Sequence, residues 1–148
     1  MGLVVTGASG ALGRLVVAAL LERVAAAELI LVTRSPESLG DVARLGATVR
    51  YGDFERVASL PAAFAGGRRM LVISTIGAAD TAAAHRGAFE AAAEAGVEHI
   101  VWTSVSNPRR GSSLGAETRF TQGPGEMEEG CSCKADSVRP QRVRLPAK

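Results

Sequence analysis

Three glycines at a regular spacing are the first residues of this chain with a recognisable chemical use. Gly7, Gly10 and Gly13 lie in the stretch TGASGALGR, between a short β-rich run and an apolar helical run. The first glycine permits a sharp turn, the second lets backbone approach a phosphate without an intervening Cβ, and the third permits close packing of the helix. The helix N-terminus would then point unpaired N–H groups at the phosphates. This context predicts a cradle for the pyrophosphate of a dinucleotide, rather than a purely structural turn.

The residues after the second β-rich run indicate which dinucleotide is bound. An NAD site usually has Asp or Glu about 20 residues after the glycines, where it accepts a hydrogen bond from the ribose 2′-OH. This chain has Thr33, Arg34 and Ser35 there. Arg34 can bind a 2′-phosphate, which a carboxylate would repel, and the two hydroxyls can add donors. The alternative is a solvated loop arginine, but the pattern favours NADP(H) over NAD(H).

Two later loops follow predicted strands and fall where a dinucleotide would pass. Asp53 in YGDF can accept a hydrogen bond from the adenine amino group, or it can simply belong to a turn. The stretch ISTIGAAD places residues 74–77 at the carboxyl edge of the sheet, where small side chains let ribose and nicotinamide approach. His85 is expected on the surface of an alanine-rich helix, with a cofactor edge as the alternative. Trp102 is expected to pack.

Strand and helix patterns alternate along the chain and would position these residues. Such alternation predicts βαβ units with right-handed crossovers, and so an α/β fold with a doubly wound, Rossmann-like parallel sheet in strand order 3-2-1-4-5. The predicted strands are Leu3–Thr6, Leu29–Thr33, Thr48–Tyr51, Arg69–Ser74 and His99–Thr103. The predicted helices are Ala11–Val24, one from Ser35–Pro36 to Arg44–Leu45, a short one before Arg69, and Ala79–Ala95.

Composition limits the classes of function. A chain of 148 residues is about one domain long, and its net charge of +2 is too small to argue for nucleic acid or an anionic membrane surface. Charged residues or histidine interrupt every apolar stretch before it could span a membrane, and no basic segment precedes the first apolar run. We therefore expect a cytoplasmic protein. Cys131 and Cys133 supply only two of the usual four zinc ligands, so no metal site is predicted.

Several stretches together resemble a known family. VVTGASGALGRLV, LVTRSPESL, VRYGDFERVASLPAAFAG, MLVISTIG and AHRGAFEAAAEAGVEHIVWTSVSNP are similar in order and spacing to the NmrA-like atypical short-chain dehydrogenase/reductases, notably the bacterial NAD(P)H:quinone oxidoreductases. The resemblance covers about residues 1–122. It implies that the glycines bind pyrophosphate, Arg34 the 2′-phosphate and Asp53 the adenine, with the ends of strands four and five beside the nicotinamide. The predicted cofactor site is Gly7, Ser9, Gly10, Ala11, Leu12, Gly13, Arg34, Asp53, Phe54, Ser74, Thr75, Thr103 and Ser104.

The chain departs from ordinary dehydrogenases of this kind in its lack of a catalytic pair. Tyr51 is its only tyrosine, so there is no Tyr-x-x-x-Lys motif to donate a proton to a carbonyl. A quinone accepts hydride directly, and the resulting anion can take its proton from water. We therefore expect NADPH-dependent hydride transfer to a quinone or similar acceptor. The alternatives are a non-catalytic sensor of NADP(H), or an inactive fragment.

The last part of the chain lacks the apolar periodicity of the rest. Residues 1–122 are predicted to form the NAD(P)-binding domain, and residues 123–148 a disordered tail in place of the substrate-covering region found in the family. The break near Thr121–Gly125 resembles a frameshift, which sequencing the gene would test. With no sixth strand, strand five would lie at an exposed edge, which a homodimer could cover.

Overall fold

A computed structural model describes residues 2–74, 81–103 and 141–144. The strands are β1 Gly2–Thr6, β2 Leu29–Thr33, β3 Thr48–Tyr51, β4 Gly67–Val72, β5 His99–Trp102 and β6 Gln141–Arg144. The α-helices are α1 Ala11–Leu21, α2 Gly40–Arg44, α3 Leu60–Phe64 and α4 Thr81–Glu94.

The segment after β2 differs from the single helix predicted there. It begins as a 3₁₀ helix over Pro36–Leu39 and continues as the five-residue α2. Ser35 precedes it but makes no side-chain capping hydrogen bond; instead its carbonyl oxygen accepts a hydrogen bond from the Ser38 hydroxyl at 2.6 Å. The N–H groups at the start of this segment therefore lack the expected side-chain cap, and the segment begins as a tighter 3₁₀ turn instead of an α-helical one.

The sheet confirms the predicted doubly wound order. Its strands run β3-β2-β1-β4-β5-β6, and the first five are parallel. β1 is central, with β2 on one side and β4 on the other, so the direction of winding reverses beside it. All five residues of β2 are buried, which explains why its sequence, LILVT, is continuously apolar up to its last residue.

A sixth strand was not predicted from the sequence. Residues 141–144 pair antiparallel with β5, so the expectation that β5 forms an exposed edge is wrong. The strand lies within the segment 123–148 that we expected to be disordered. The rest of that segment is outside the described residues, and both the domain boundary and the frameshift therefore stay predictions.

Helices cover the sheet on both faces and define two apolar cores. Successive β1 residues contribute to opposite faces, since Val4 packs with α3 and α4, whereas Val5 packs with α1 and α2. The α3/α4 core includes Val32, Phe54, Leu60, Phe64, Met70, Phe89, Ile100 and Trp102. The α1/α2 core includes Val17, Leu29, Leu31, Leu39 and Val42.

One region of the α1 face is left open by the described helices. A groove of about 370 Å³ is lined by β1, α1, β4 and β5, with the half-buried Leu71 and Val101 on its floor. Arg69 and His99 also line it. The groove does not include the glycine loop, so we do not identify it with the predicted cofactor site.

Candidate functional site

The loop after β1 has the backbone geometry of a phosphate cradle. Gly7 adopts a left-handed conformation with φ +63°, which turns the chain sharply out of the strand. The N–H of Gly10 donates to the Gly7 carbonyl oxygen at 3.0 Å, and the N–H of Ala8 donates to Val32 on the neighbouring β2 at 3.2 Å. A Cβ at Gly13 would collide with the Gly7 carbonyl oxygen, so only glycine lets α1 pack this closely against the loop.

The N-terminus of α1 is open and carries no competing negative charge. Gly10 is the N-cap residue and makes no side-chain capping bond, and the first turn contains no acidic residue. Gly10, Ala11 and Leu12 are exposed, with Leu12 48% exposed. The first-turn N–H groups have no partner within the helix, and the helix dipole is positive at this end. These residues therefore fit a bound pyrophosphate.

The end of β2 lies beside this loop and is tied to it by side chains. The Ser9 and Thr33 hydroxyls are 2.6 Å apart, and the N–H of Ser35 donates to the Thr33 hydroxyl at 3.1 Å. The sequence predicts that the Thr33 hydroxyl donates to a phosphate. Thr33 is only 4% exposed, however, and its hydroxyl braces the loop instead. Arg34, the next residue, is exposed at this edge of the sheet.

The loop after β3 places Asp53 and Phe54 in different environments. The Asp53 carboxylate accepts a hydrogen bond from the N–H of Glu55 at 3.1 Å, which is the turn role weighed as the alternative to adenine binding. The carboxylate has more than one acceptor position, so both roles are compatible. Phe54 is 7% exposed and packs in the α3/α4 core, so its side chain contributes packing and its backbone is what it can offer a cofactor.

At the ends of β4 and β5, Ser74 is held at two points. Its N–H donates to the Thr103 hydroxyl at 2.8 Å, and Thr103 N–H in turn donates to the Val72 carbonyl oxygen at 3.0 Å. The Ser74 hydroxyl lies 3.2 Å from Nε2 of His85 on α4. Ser74 and Thr103 are half-buried, so they remain accessible from the edge of the sheet.

His85 is buried, so the expectation of a surface histidine is wrong. It is 1% exposed and lies among the rings of Phe54, Phe89 and Trp102. The sequence contained a signal for this: position 85 shares a helical face with the apolar positions 88, 89 and 92. The packing role expected for Trp102 is confirmed by its 3% exposure.

Every described member of the predicted site follows a parallel strand at the same edge of the sheet or lies at the start of α1. The structure thus brings together the glycine loop, Arg34, Asp53 and the Ser74–Thr103 pair, with the glycine loop where the winding reverses. Thr75 and Ser104 lie outside the described residues, as do both cysteines. Within residues 2–74, 81–103 and 141–144, no group of three or more potential ligands could hold a metal ion. No helix in the same ranges is long and apolar enough to cross a membrane.

Comparison with known proteins assigns a family to this arrangement. Residues 7–122 match the sequence profile of a family described as NAD(P)H-binding. Quinone oxidoreductase 2 of Escherichia coli K12 is 36% identical over 101 residues, which are 68% of this chain and 35% of that protein.

Two solved structures bound to the reduced or oxidised cofactor have the same fold. The Citrobacter triphenylmethane reductase complexed with NADP(H) superposes with a TM-score of 0.75 at 31% identity, covering 81% of this chain and 44% of the other. The NADPH-dependent quinone oxidoreductase of Escherichia coli complexed with NADPH gives 0.72 at 30% identity, covering 80% and 42%. This chain therefore spans less than half the length of these relatives.

Proposed function

This chain belongs to the NAD(P)H-binding family, and we propose that it is an NADPH-dependent oxidoreductase that reduces a quinone or a similar acceptor. The observation that carries the proposal is the open glycine loop at the reversal of the sheet, with Arg34 exposed beside it. The relatives named as NADPH-dependent quinone oxidoreductases support it. Because the chain spans only part of those relatives, their activities extend to it as proposals.

Arg34 is the residue that we propose selects NADPH over NADH. It follows β2 directly, and the hydroxyls of Ser9 and Thr33 hold the end of that strand against the glycine loop. A guanidinium can donate two hydrogen bonds to a phosphate, and it adds a favourable charge that a 2′-hydroxyl would not use. N–H groups of the loop and of the first turn of α1 would hold the pyrophosphate.

NADPH bound at this site would supply a hydride which, together with one proton from solvent, would reduce a quinone to a hydroquinone and leave NADP⁺. The chain's own part is to bind and orient the cofactor. Ser74 and Thr103, fixed to each other at the ends of β4 and β5, border the place proposed for the nicotinamide. Tyr51 ends β3, where it pairs with Thr33 on the far side of β1 from β4. It is therefore not placed to protonate an acceptor beside Ser74.

The second candidate is a protein that senses NADP(H) without turnover. The observation that favours it is the same placement of Tyr51, the only tyrosine, away from the ends of β4 and β5. Turnover with a quinone separates the two functions. The cytoplasmic location and the homodimer stay predictions from the sequence.

A titration of the full chain with NADPH and with NADH, followed by nicotinamide fluorescence, tests the proposal. Arg34→Ser should weaken NADPH binding by about 10- to 150-fold, the value of a charged hydrogen bond of roughly 1.5–3 kcal/mol, and leave NADH binding unchanged. Arg44→Ser makes the same charge change at an exposed residue of α2 and should affect neither cofactor.

Addition of a small quinone to the NADPH complex then separates the two functions. Loss of absorbance from the reduced nicotinamide, with hydroquinone formed in equal amount, supports the oxidoreductase. Tight NADPH binding without oxidation supports the sensor. If the wild-type chain binds neither cofactor, both proposals fail.

A further inference from the structure

The histidine buried beneath the ends of β4 and β5 places a polar ring where packing alone would require only an apolar side chain. His85 is 1% exposed and three aromatic rings lie around it, with ring centroids at 5.7 Å for Phe54 and Trp102 and 6.4 Å for Phe89. A polar ring in such a place costs free energy unless its nitrogens are hydrogen-bonded. An aliphatic side chain would fill the same space without that cost.

The Nε2 contact of His85 runs to the edge of the sheet where the cofactor is proposed to bind. Nε2 lies 3.2 Å from the Ser74 hydroxyl, within hydrogen-bond range. The backbone of Ser74 is already fixed by the Thr103 hydroxyl at 2.8 Å. The remaining freedom of Ser74 is the rotation of its own side chain, and the bond to His85 removes it. The aromatic rings in turn restrict the orientation of the imidazole.

We propose that His85 is a positioning residue, which holds the Ser74 hydroxyl in one orientation and thereby sets the place of the nicotinamide half of the bound dinucleotide. The inference rests on the proposed dinucleotide site. It assigns a role to a residue of α4, a helix that otherwise contributes to the core, and it restricts that role to one half of the ligand. The adenine half, at the ends of β2 and β3, lies on the other side of β1, where His85 makes an apolar packing contact with Phe54.

Two ligands separate these halves in a binding experiment on the full chain. NADPH carries both halves, whereas adenosine 2′,5′-bisphosphate carries the adenine and the 2′-phosphate without the nicotinamide. His85→Leu keeps an apolar side chain of similar size among the three aromatic rings but removes the hydrogen bond to the Ser74 hydroxyl. It should weaken NADPH binding by about fivefold, the value of one neutral hydrogen bond, and leave binding of the bisphosphate unchanged.

Three further variants test whether His85 acts through Ser74. His85→Gln retains a polar terminus that can reach the Ser74 hydroxyl and should restore NADPH binding to near the wild-type value. Ser74→Ala removes the hydroxyl that His85 is proposed to orient, and it should lose at least as much affinity, even if His85→Leu does not fold. In the double variant the two losses should not add, because without the Ser74 hydroxyl His85 has no group left to orient. His99→Leu, the same change at the chain's other histidine, which is exposed, is the control.

The outcomes are distinguishable. If His85→Leu and Ser74→Ala bind NADPH like the wild type, or if the loss in His85→Leu persists in full in the Ser74→Ala background, the positioning role is refuted. An equal loss for NADPH and the bisphosphate would show a general structural role and also refute it. If the wild type binds neither ligand, the proposed function itself fails. Failure of the positioning role alone would leave binding by the wild type intact.

Discussion

Replacing Gly13 by alanine tests the glycine cradle through a clash with backbone. The new Cβ would overlap the Gly7 carbonyl oxygen and lie 2.8 Å from the Cα and carbonyl carbon of Ala8. These atoms belong to the turn and to the chain after β1, so they cannot rotate away as a side chain would. Overpacking of this kind costs about 1–3 kcal/mol, and a backbone clash belongs at the upper end of that range.

The net effect is smaller because alanine favours the helix. Position 13 is inside α1, where alanine is favoured over glycine by about 1 kcal/mol. We therefore expect Gly13→Ala to lower the free energy of unfolding by about 1–2 kcal/mol, or Tm by roughly 3–6 °C. Binding of NADPH should fall as well, because the displaced Gly7 carbonyl accepts the bond that places the N–H of Gly10.

The same change at Gly40 should have the opposite sign. Gly40 begins α2 with φ −62° and ψ −25°, and a Cβ there would meet nothing within 4 Å. Alanine in a compatible backbone conformation stabilises a protein by about 0.4–1 kcal/mol, chiefly by restricting the unfolded chain. Thermal unfolding followed by circular dichroism measures both variants. A Gly13→Ala protein as stable as Gly40→Ala would refute the packing argument for the third glycine.

Two other changes should separate a strong contact from a weak one in the same unfolding assay, and a third is measured by NADPH binding. Arg50→Met keeps the aliphatic stem but removes a guanidinium that donates to the Ala65 carbonyl oxygen at 2.6 Å after α3, and should cost about 1–3 kcal/mol; no loss would mean that water replaces it. Glu98→Gln breaks an exposed ion pair with Arg68 and should change stability by less than about 1 kcal/mol, with a larger effect contradicting its exposure. Thr33→Val removes the buried partner of the Ser9 hydroxyl and should weaken NADPH binding, measured by nicotinamide fluorescence, by about fivefold, while an affinity equal to that of the wild type would exclude bracing of the loop.

Much of this fold could be predicted from the sequence, because apolar runs and glycine patterns are signals carried by residues close together in the chain. The apolar run of β2 and the glycine pattern of the loop were located correctly, since burial on both faces and the sharp turn leave few alternatives. β4 begins at Gly67, two residues before its predicted start, because its first pairing depends on Gly2 of β1. That partner is distant in sequence, so a local pattern could not reveal it.

The elements that sequence analysis missed depend on neighbours rather than on their own residues. β6 has the sequence QRVR, with one apolar residue among polar ones, and becomes a strand through pairing with the edge of β5. The role of Ser74 was predicted, but its bond to His85 joins a strand end to a helix across the core. The alanine-rich composition of α4 led to the wrong expectation that His85 lies on the surface, although its helical spacing from the buried positions 88, 89 and 92 was a signal of burial.

The central position of β1 has a consequence for when the cofactor loop forms during folding. Ile73 N–H donates to the Thr6 hydroxyl at 3.1 Å across 67 residues of sequence, and β4 completes the second side of β1. The glycine loop precedes β4 in the chain, and it acquires its native surroundings only after β4 has docked, because closing so long a loop must precede the contacts that reward it. A dinucleotide that binds only the assembled loop shifts the folding equilibrium by mass action, by about 2.7 kcal/mol at a concentration 100 times its Kd. Cellular NADPH would in this way influence how much of the chain is folded, as well as what the folded chain does.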